Sequence, residues 1–216
     1  MLLIVVAVAA QQDAPPPPRS VGTIDPQATT SSAPGVPSPS GTASPPSIRV
    51  GPATTHPLGP SRPVQLSIPA IGVDTDLVKL GLAADGTLAV PQPGPDLDKA
   101  AWFENSPTPG QPGPSIIEGH VDSTEGPSVF FKLGALRPGD RIHVRRADHS
   151  RLTFTVNAVR DYAKAQFPTR LVYGGDRLGT PELRLITCSD FDQTIHHHIG
   201  NEIVFAHLTS VRNRAS

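Results

Sequence analysis

The sequence predicts an all-β protein in which many short strands form a single barrel or sandwich. Three observations support this class. Short runs alternate apolar and polar residues with the period of two that is typical of a half-buried strand. Turn signals rich in Gly, Pro and Asp separate these runs. No stretch is long and periodic enough to predict a major helix.

The elements follow one another from about residue 64 to residue 210. The predicted strands are 64–69, 115–118, 141–146, 152–158, 182–187 and 202–208. The predicted turns are 85–86, 138–140 and 173–176, and a short helical turn is expected at 129–136. These residues are numerous enough to form one domain with its own core.

The chain before this domain has a different composition. Residues 1–10 are apolar but too short to cross a bilayer, so they resemble the hydrophobic part of a signal or anchor, without its usual positive flank. Residues 11–63 are rich in Pro and poor in aromatic residues, which predicts a disordered linker. Residues 211–216 are expected to be a tail. We therefore expect an exported protein held at the cell envelope.

The overall charge gives no support for a partner that is nucleic acid or an anionic membrane surface. The formal net charge is −1, with 18 basic and 19 acidic residues. A chain with this balance has no overall electrostatic preference for nucleic acid or for an anionic membrane surface. Nothing in the sequence indicates an oligomer, so a monomer is expected.

Cys188 is the only cysteine in the chain, and it ends a predicted strand. Exported proteins usually pair their cysteines, so an unpaired thiol is either an inert buried residue or a nucleophile. A nucleophilic thiol needs a nearby base. Among the eight histidines, His120 is the best candidate, because it follows an apolar strand and opens a loop; the alternative is an ordinary structural histidine.

An ordered set of motifs resembles the sortase family, and most of all the class F sortases of actinobacteria. The motifs are SIPAIGV at 67–73, GHVDS at 119–123, GP at 126–127, FFKL at 130–133, LRPGD at 136–140, LITC at 185–188 and FD at 191–192. The resemblance implies an eight-stranded β-barrel with one or two short helices, covering residues 64–210.

The resemblance also implies an activity. Sortases cleave a sorting signal of the Leu-Pro-X-Thr-Gly type between Thr and Gly, and pass the acyl group through a cysteine thioester to a cell-wall amine. In this sequence Cys188 would be the nucleophile and His120 the general acid and base. Thr187 and Asp122 would bind substrate, and residues 163–178 would form one wall of the groove or simply a mobile turn. No cofactor is implied.

The sequence departs from the family at one position. Sortases carry an arginine on the strand after the cysteine, but no arginine lies between Cys188 and Leu208, and Ile199 falls near the expected place. His198 is the favoured substitute, since it can donate a hydrogen bond, whereas Asn201 is expected to be a turn residue. Arg184 lies about 13 Å away along the strand, too far to serve.

Alternatives to the transpeptidase remain open. The run of three histidines at 196–198 could bind a metal, although consecutive residues of an extended segment point in alternating directions and chelate poorly, so a solvated loop is preferred. A cysteine hydrolase on the same scaffold is a second function. A peptide-binding module that lost turnover with the arginine is a third.

Overall fold

The computed structural model describes residues 57–84, 86–174 and 179–213. The predictions made for the apolar segment 1–10, for the linker as far as residue 56, for Asp85, for residues 175–178 of the turn and groove wall, and for residues 214–216 of the tail lie outside these residues. Among the described residues, no helix has the length and hydropathy needed to cross a membrane.

Eight strands close into a barrel, which confirms the predicted class. They are β1 (Pro63–Ile68), β2 (Val73–Leu80), β3 (Ala100–Phe103), β4 (Gly113–Glu118), β7 (Arg141–Arg146), β8 (Arg151–Ala163), β9 (Pro181–Asp192) and β10 (His197–Arg212). Their order around the barrel is β1-β2-β3-β4-β9-β10-β8-β7. A separate two-stranded hairpin consists of β5 (Asp122–Ser123) and β6 (Gly126–Pro127).

Helical structure is restricted to short segments among the described residues. Three single turns of 3₁₀ helix lie at Pro69–Ile71, Leu133–Ala135 and Lys164–Gln166, and the helix α1 spans Thr169–Gly174. The turn at Leu133–Ala135 confirms the helical turn expected at 129–136. Tyr173 and Gly174 end α1 instead of starting the predicted turn, so that prediction was wrong for these two residues.

The alternating patterns in the sequence correspond to an inner and an outer face. In β7, Ile142 and Val144 are buried, and in β8 the buried side chains begin with Leu152 and Phe154. These residues belong to the cluster that fills the barrel interior. Apolar side chains of alternate strand residues meet inside the closed sheet, and this burial stabilises the barrel.

A second apolar cluster lies on the outer face of β4, β8, β9 and β10. It includes Ile116, Ala158, Ile186, Ile203 and Phe205. Side chains from the β8–β9 connection pack against it, namely Phe167, Leu171, Val172 and Tyr173. The connection therefore lies over the outer face on which Ile186, two residues before Cys188, is found.

Two barrel strands lie in places where the sequence predicted none. The strand β2 carries two exposed aspartates, Asp74 and Asp76, and aspartate is depleted in strands. The sequence pattern therefore did not predict a strand here, although Val73 and Leu77 are buried. The strand β3 has only four residues, too few to show a period. At the other end, β10 continues to Arg212, so the predicted tail begins inside a strand.

Candidate active site

The strand register brings the chain that leads to His120 beside the chain that carries Cys188. The strands β4 and β9 are parallel neighbours, and Glu118 at the end of β4 pairs with Ile186. Cys188 lies two residues beyond Ile186 on β9 and shares its face, whereas His120 lies two residues beyond the end of β4. The surface around Cys188 at this point is named the candidate cleft.

Gly119 fixes the chain at this point. Its backbone N–H donates to the Ile186 carbonyl oxygen at 3.1 Å, and its carbonyl oxygen accepts from the Thr187 hydroxyl at 2.8 Å. A Cβ atom here would lie 2.7 Å from Val129 Cγ1 and 2.8 Å from Phe130 Cδ2, so only glycine fits. These contacts hold the His120 loop against β9.

Thr187 consequently has a different position from the one expected. It is 3% exposed, and its hydroxyl is donated to Gly119. It pairs with Glu202 and precedes Cys188, so it points away from the face that carries the thiol. The Thr187 side chain therefore links β9 to Gly119, and it offers no surface on which a substrate could lie.

The hydrogen bond of the His120 ring fixes which nitrogen carries the proton. Nε2 lies 2.8 Å from the Pro91 carbonyl oxygen, which can only accept, so Nε2–H is the donor. Nδ1 is therefore the nitrogen with a free lone pair, suited to accept a proton. The His120 carbonyl oxygen also accepts from the Phe130 N–H at 2.9 Å, which holds the loop from the other side.

Cys188 is half-buried, and the pKa of its thiol is raised. Burial is the largest cause, and the carboxyl groups of Asp122 and Glu118 add to it. The Lys164 ammonium acts in the opposite direction, both as a nearby charge and as a hydrogen-bond donor. The resting group is therefore the thiol, and Lys164 is the cation that favours its ionisation.

Glu118 is a buried acid beside this cleft that the sequence analysis did not single out. It is 5% exposed, and burial raises the pKa of its carboxyl to about 8. Its carboxyl is therefore protonated at neutral pH, and it adds little negative charge near the thiol there. An acidic residue ending an otherwise apolar strand was the signal available in the sequence.

The side chains of His198 and Asp122 are hydrogen-bonded to each other, whereas the sequence analysis expected both to act on a bound substrate. His198 Nε2–H donates to Asp122 Oδ1 at 3.1 Å, and the imidazole ring contacts Phe191 edge-on with 5.2 Å between centroids. His198 pairs with Phe191, not with Cys188. The described residues contain no group of three or more metal-ligand side chains with suitable geometry.

Asn201 is the residue directly opposite Cys188. It lies within β10 and pairs with Cys188, so the expectation of a turn at Asn201 was wrong. Directly opposite residues share a face, with Cβ atoms about 5 Å apart. Asn201 is half-buried, and its side-chain amide makes no hydrogen bond within the described part of the chain. It is therefore free to donate to a bound group.

The residue near which the sequence analysis expected the family arginine, Ile199, has an exposed apolar side chain. Ile199 is 45% exposed and two residues before Asn201 on β10. Arg184 cannot compensate, because it is 2% exposed and its guanidinium donates to Glu182 at 2.6 Å. The same guanidinium lies 4.7 Å from the centre of the Phe205 ring.

The fold and this surface define a β-barrel protein with the Cys188 thiol on β9 and the His120 imidazole just beyond the end of the parallel neighbour β4. The family model for the Sortase domain matches residues 66–209, which is two thirds of the chain. The chain belongs to the sortase family.

Solved structures show the same fold. Sortase A from Corynebacterium diphtheriae, a lid mutant, is 18% identical with a TM-score of 0.53, covering 68% of this chain and 70% of that chain. Sortase C-1 from Actinomyces oris is 19% identical with a TM-score of 0.52, covering 68% and 73%. The Sortase D5 transpeptidase from Clostridium perfringens is 22% identical with a TM-score of 0.50, covering 69% and 79%. No curated protein matches this sequence.

Proposed function

We propose that this protein is a cysteine transpeptidase that cleaves a Leu-Pro-X-Thr-Gly-like sorting signal between Thr and Gly and transfers the acyl group to a cell-wall amine. Family membership supports the reaction class. The observation that supports the proposal most directly is the parallel pairing of β4 and β9, because His120 and Cys188 each follow the last pair, Glu118 and Ile186, by two residues. The motif at 119–123 supports class F, and the apolar segment 1–10 supports a location outside the cytoplasm.

The reaction starts from a neutral thiol. The Cys188 proton passes to His120 Nδ1 as the sulfur attacks the threonyl carbonyl carbon and forms a C–S bond. The resulting imidazolium gives its proton to the leaving amine as the C–N bond breaks, which leaves a thioester. The incoming amine then attacks the same carbon, His120 takes its proton, and the thiol is restored when the C–S bond breaks.

The negative oxygen of each tetrahedral intermediate needs a donor. Asn201 supports this role because its uncommitted amide lies across from the sulfur. Lys164 supplies the positive charge that the family arginine would otherwise bring, since it acts on the thiol from the β8–β9 connection. We therefore assign the role of the missing guanidinium to two groups, the neutral amide of Asn201 as hydrogen-bond donor and the Lys164 ammonium as cation.

The test is intact-mass detection of an acyl adduct with a panel of sorting-signal peptides. The parent protein should gain the mass of the peptide's acyl part, the Cys188→Ala variant should not, and a neighbouring control, Ser189→Ala, should. Adding triglycine should convert the adduct into ligated peptide. Because thioester formation precedes both outcomes, this assay separates chemistry from acceptor choice.

Three other results would contradict the proposal in different ways. Free acid as the main product, even with triglycine, would make the protein a cysteine hydrolase. Peptide binding with no adduct and no cleavage would make it a binding module, the reading that the absent arginine favours. Neither binding nor adduct with any peptide would refute the sorting-signal substrate altogether.

A further inference from the structure

A second concave surface lies on the outer face of β1, β7, β8 and β10, and it is strongly basic. Its volume is about 480 Å³, within the range of small-molecule sites. Four arginines and one histidine line it, together with two serines and three threonines. Among the described residues that line it there is no carboxylate, although the chain as a whole carries a net charge of −1.

Three of these arginines form one row across three strands. Arg145 on β7 pairs with Arg151 on β8, and Arg151 pairs in turn with Arg212 on β10. Directly opposite side chains lie about 5 Å apart, and like charges in such positions destabilise a sheet. The row therefore has an unfavourable electrostatic energy that a bound anion would relieve.

Within the described part of the chain, no salt bridge neutralises the three arginines of this row. Arg145 Nε donates to Gln65 Oε1 at 3.0 Å, a neutral partner. Gln65 Nε2 in turn donates to Asp74 Oδ1 at 2.9 Å. Among residues 57–84, 86–174 and 179–213, neither Arg151 nor Arg212 has a side-chain partner, and both are exposed.

We propose that this surface, named the arginine row after Arg145, Arg151 and Arg212, binds the phosphate groups of a soluble anionic polymer. Guanidinium groups bind phosphate through paired hydrogen bonds, and the hydroxyls beside them can donate to the remaining oxygens. Several cations in one line match repeated phosphates better than a single anion.

Other polyanionic partners fit the surface less well. Single-stranded nucleic acid binds to stacking platforms, and the lining contains no Phe, Tyr or Trp. Insertion into a membrane needs exposed apolar side chains, whereas the one aliphatic residue in the lining, Val144, is buried. A phosphate polymer is therefore the partner that the lining favours.

The arginine row is separate from the cleft of Cys188. Arg212 follows Asn201 by eleven residues along β10, roughly 35 Å of extended chain. A polymer bound at the row would leave the cleft open. The proposal therefore stands or fails independently of the transpeptidase activity.

The test is calorimetric titration of the whole protein with inorganic polyphosphate. The parent protein should bind, and the double variant Arg151→Gln/Arg212→Gln should bind about 10-fold more weakly, the combined effect of two exposed charge pairs. The matched control Lys132→Gln/Arg170→Gln removes the same charge elsewhere and should retain parental affinity. The variant Arg151→Lys/Arg212→Lys should keep most affinity but lose preference for polyphosphate over polyglutamate.

Thermal melting provides a second readout that does not require binding to be measured directly. Without polyphosphate, Arg151→Gln/Arg212→Gln should melt at or above the parental temperature, because like charges are removed. With polyphosphate, the parent should gain stability and the variant should not. Polyphosphate that fails to bind, equal losses in the control, polyglutamate that binds equally well, or tighter binding to oligothymidylate or to phosphatidylglycerol vesicles would overturn the proposal.

Discussion

Replacing Asn201 with alanine tests whether a neutral amide performs the work of the absent arginine. The amide lies across from Cys188, and its Cβ is about 5 Å from the Cys188 Cβ, close enough to reach an oxygen on the carbon bonded to sulfur. Losing one oxyanion donor lowers kcat by about 10²- to 10³-fold. Because Asn201 is half-buried and water can partly replace it, we expect the lower end, about 100-fold.

The assay is steady-state cleavage of a sorting-signal peptide, with kcat and KM measured separately. The loss should fall on kcat, since the donor acts on charge that develops only in the transition state. Asn213→Ala is the matched control, because Asn213 is exposed just beyond β10. Adding Ile199→Arg to the Asn201→Ala protein should recover part of the rate. Unchanged kcat in Asn201→Ala, or a loss confined to KM, would refute the assignment.

Three further predictions concern the surroundings of the thiol. Glu118→Gln should remove a pH dependence of stability. A carboxyl with an unfolded pKa near 4.5 and a folded pKa of about 8 makes the parent lose on the order of 4 kcal/mol of stability as pH rises between these values. The denaturation midpoints of parent and variant should therefore diverge from pH 5 to pH 8. Lys164→Met should raise the pKa of Cys188 further and slow its alkylation at pH 8 by about 2- to 5-fold, while Lys132→Met should not; equal rates would exclude Lys164 from the site. Gly119→Ala should lower the free energy of unfolding by about 1–3 kcal/mol and abolish acylation, whereas Gly59→Ala, with open space around it, should leave both unchanged; a fully active Gly119→Ala protein would contradict the tight packing.

The barrel was predictable because most of its strands show the alternation that one buried face requires. The strand β7 matches the predicted bounds, and Ile142 and Val144 are inside. The strand β2 was not predictable, because its pairing with β1 and β3 places two aspartates on an exposed face. Tertiary pairing outweighs local propensity in such a strand.

From the sequence, only the two central residues of the candidate site could be proposed. Cys188 and His120 were singled out because each ends or follows an apolar run. The sequence did not predict that Asn201 lies opposite Cys188, because the identity of that residue depends on the register between β9 and β10. A shift of one residue would have exchanged Asn201 for Gly200 or Glu202, and register cannot be read from either strand alone.

The charges around Cys188 determine how the proposed reaction would proceed without the family arginine. Asp122 and Glu118 disfavour a thiolate, but Glu118 is neutral below about pH 8, and Asp122 is hydrogen-bonded to His198. The opposing positive charge comes from Lys164, which is exposed and therefore well screened by water. The thiol consequently rests protonated, and in the proposed mechanism its attack depends on proton transfer to His120 at the moment of reaction. A neutral donor such as Asn201 suits this sequence of events, since it stabilises the oxyanion without first requiring the thiol to ionise.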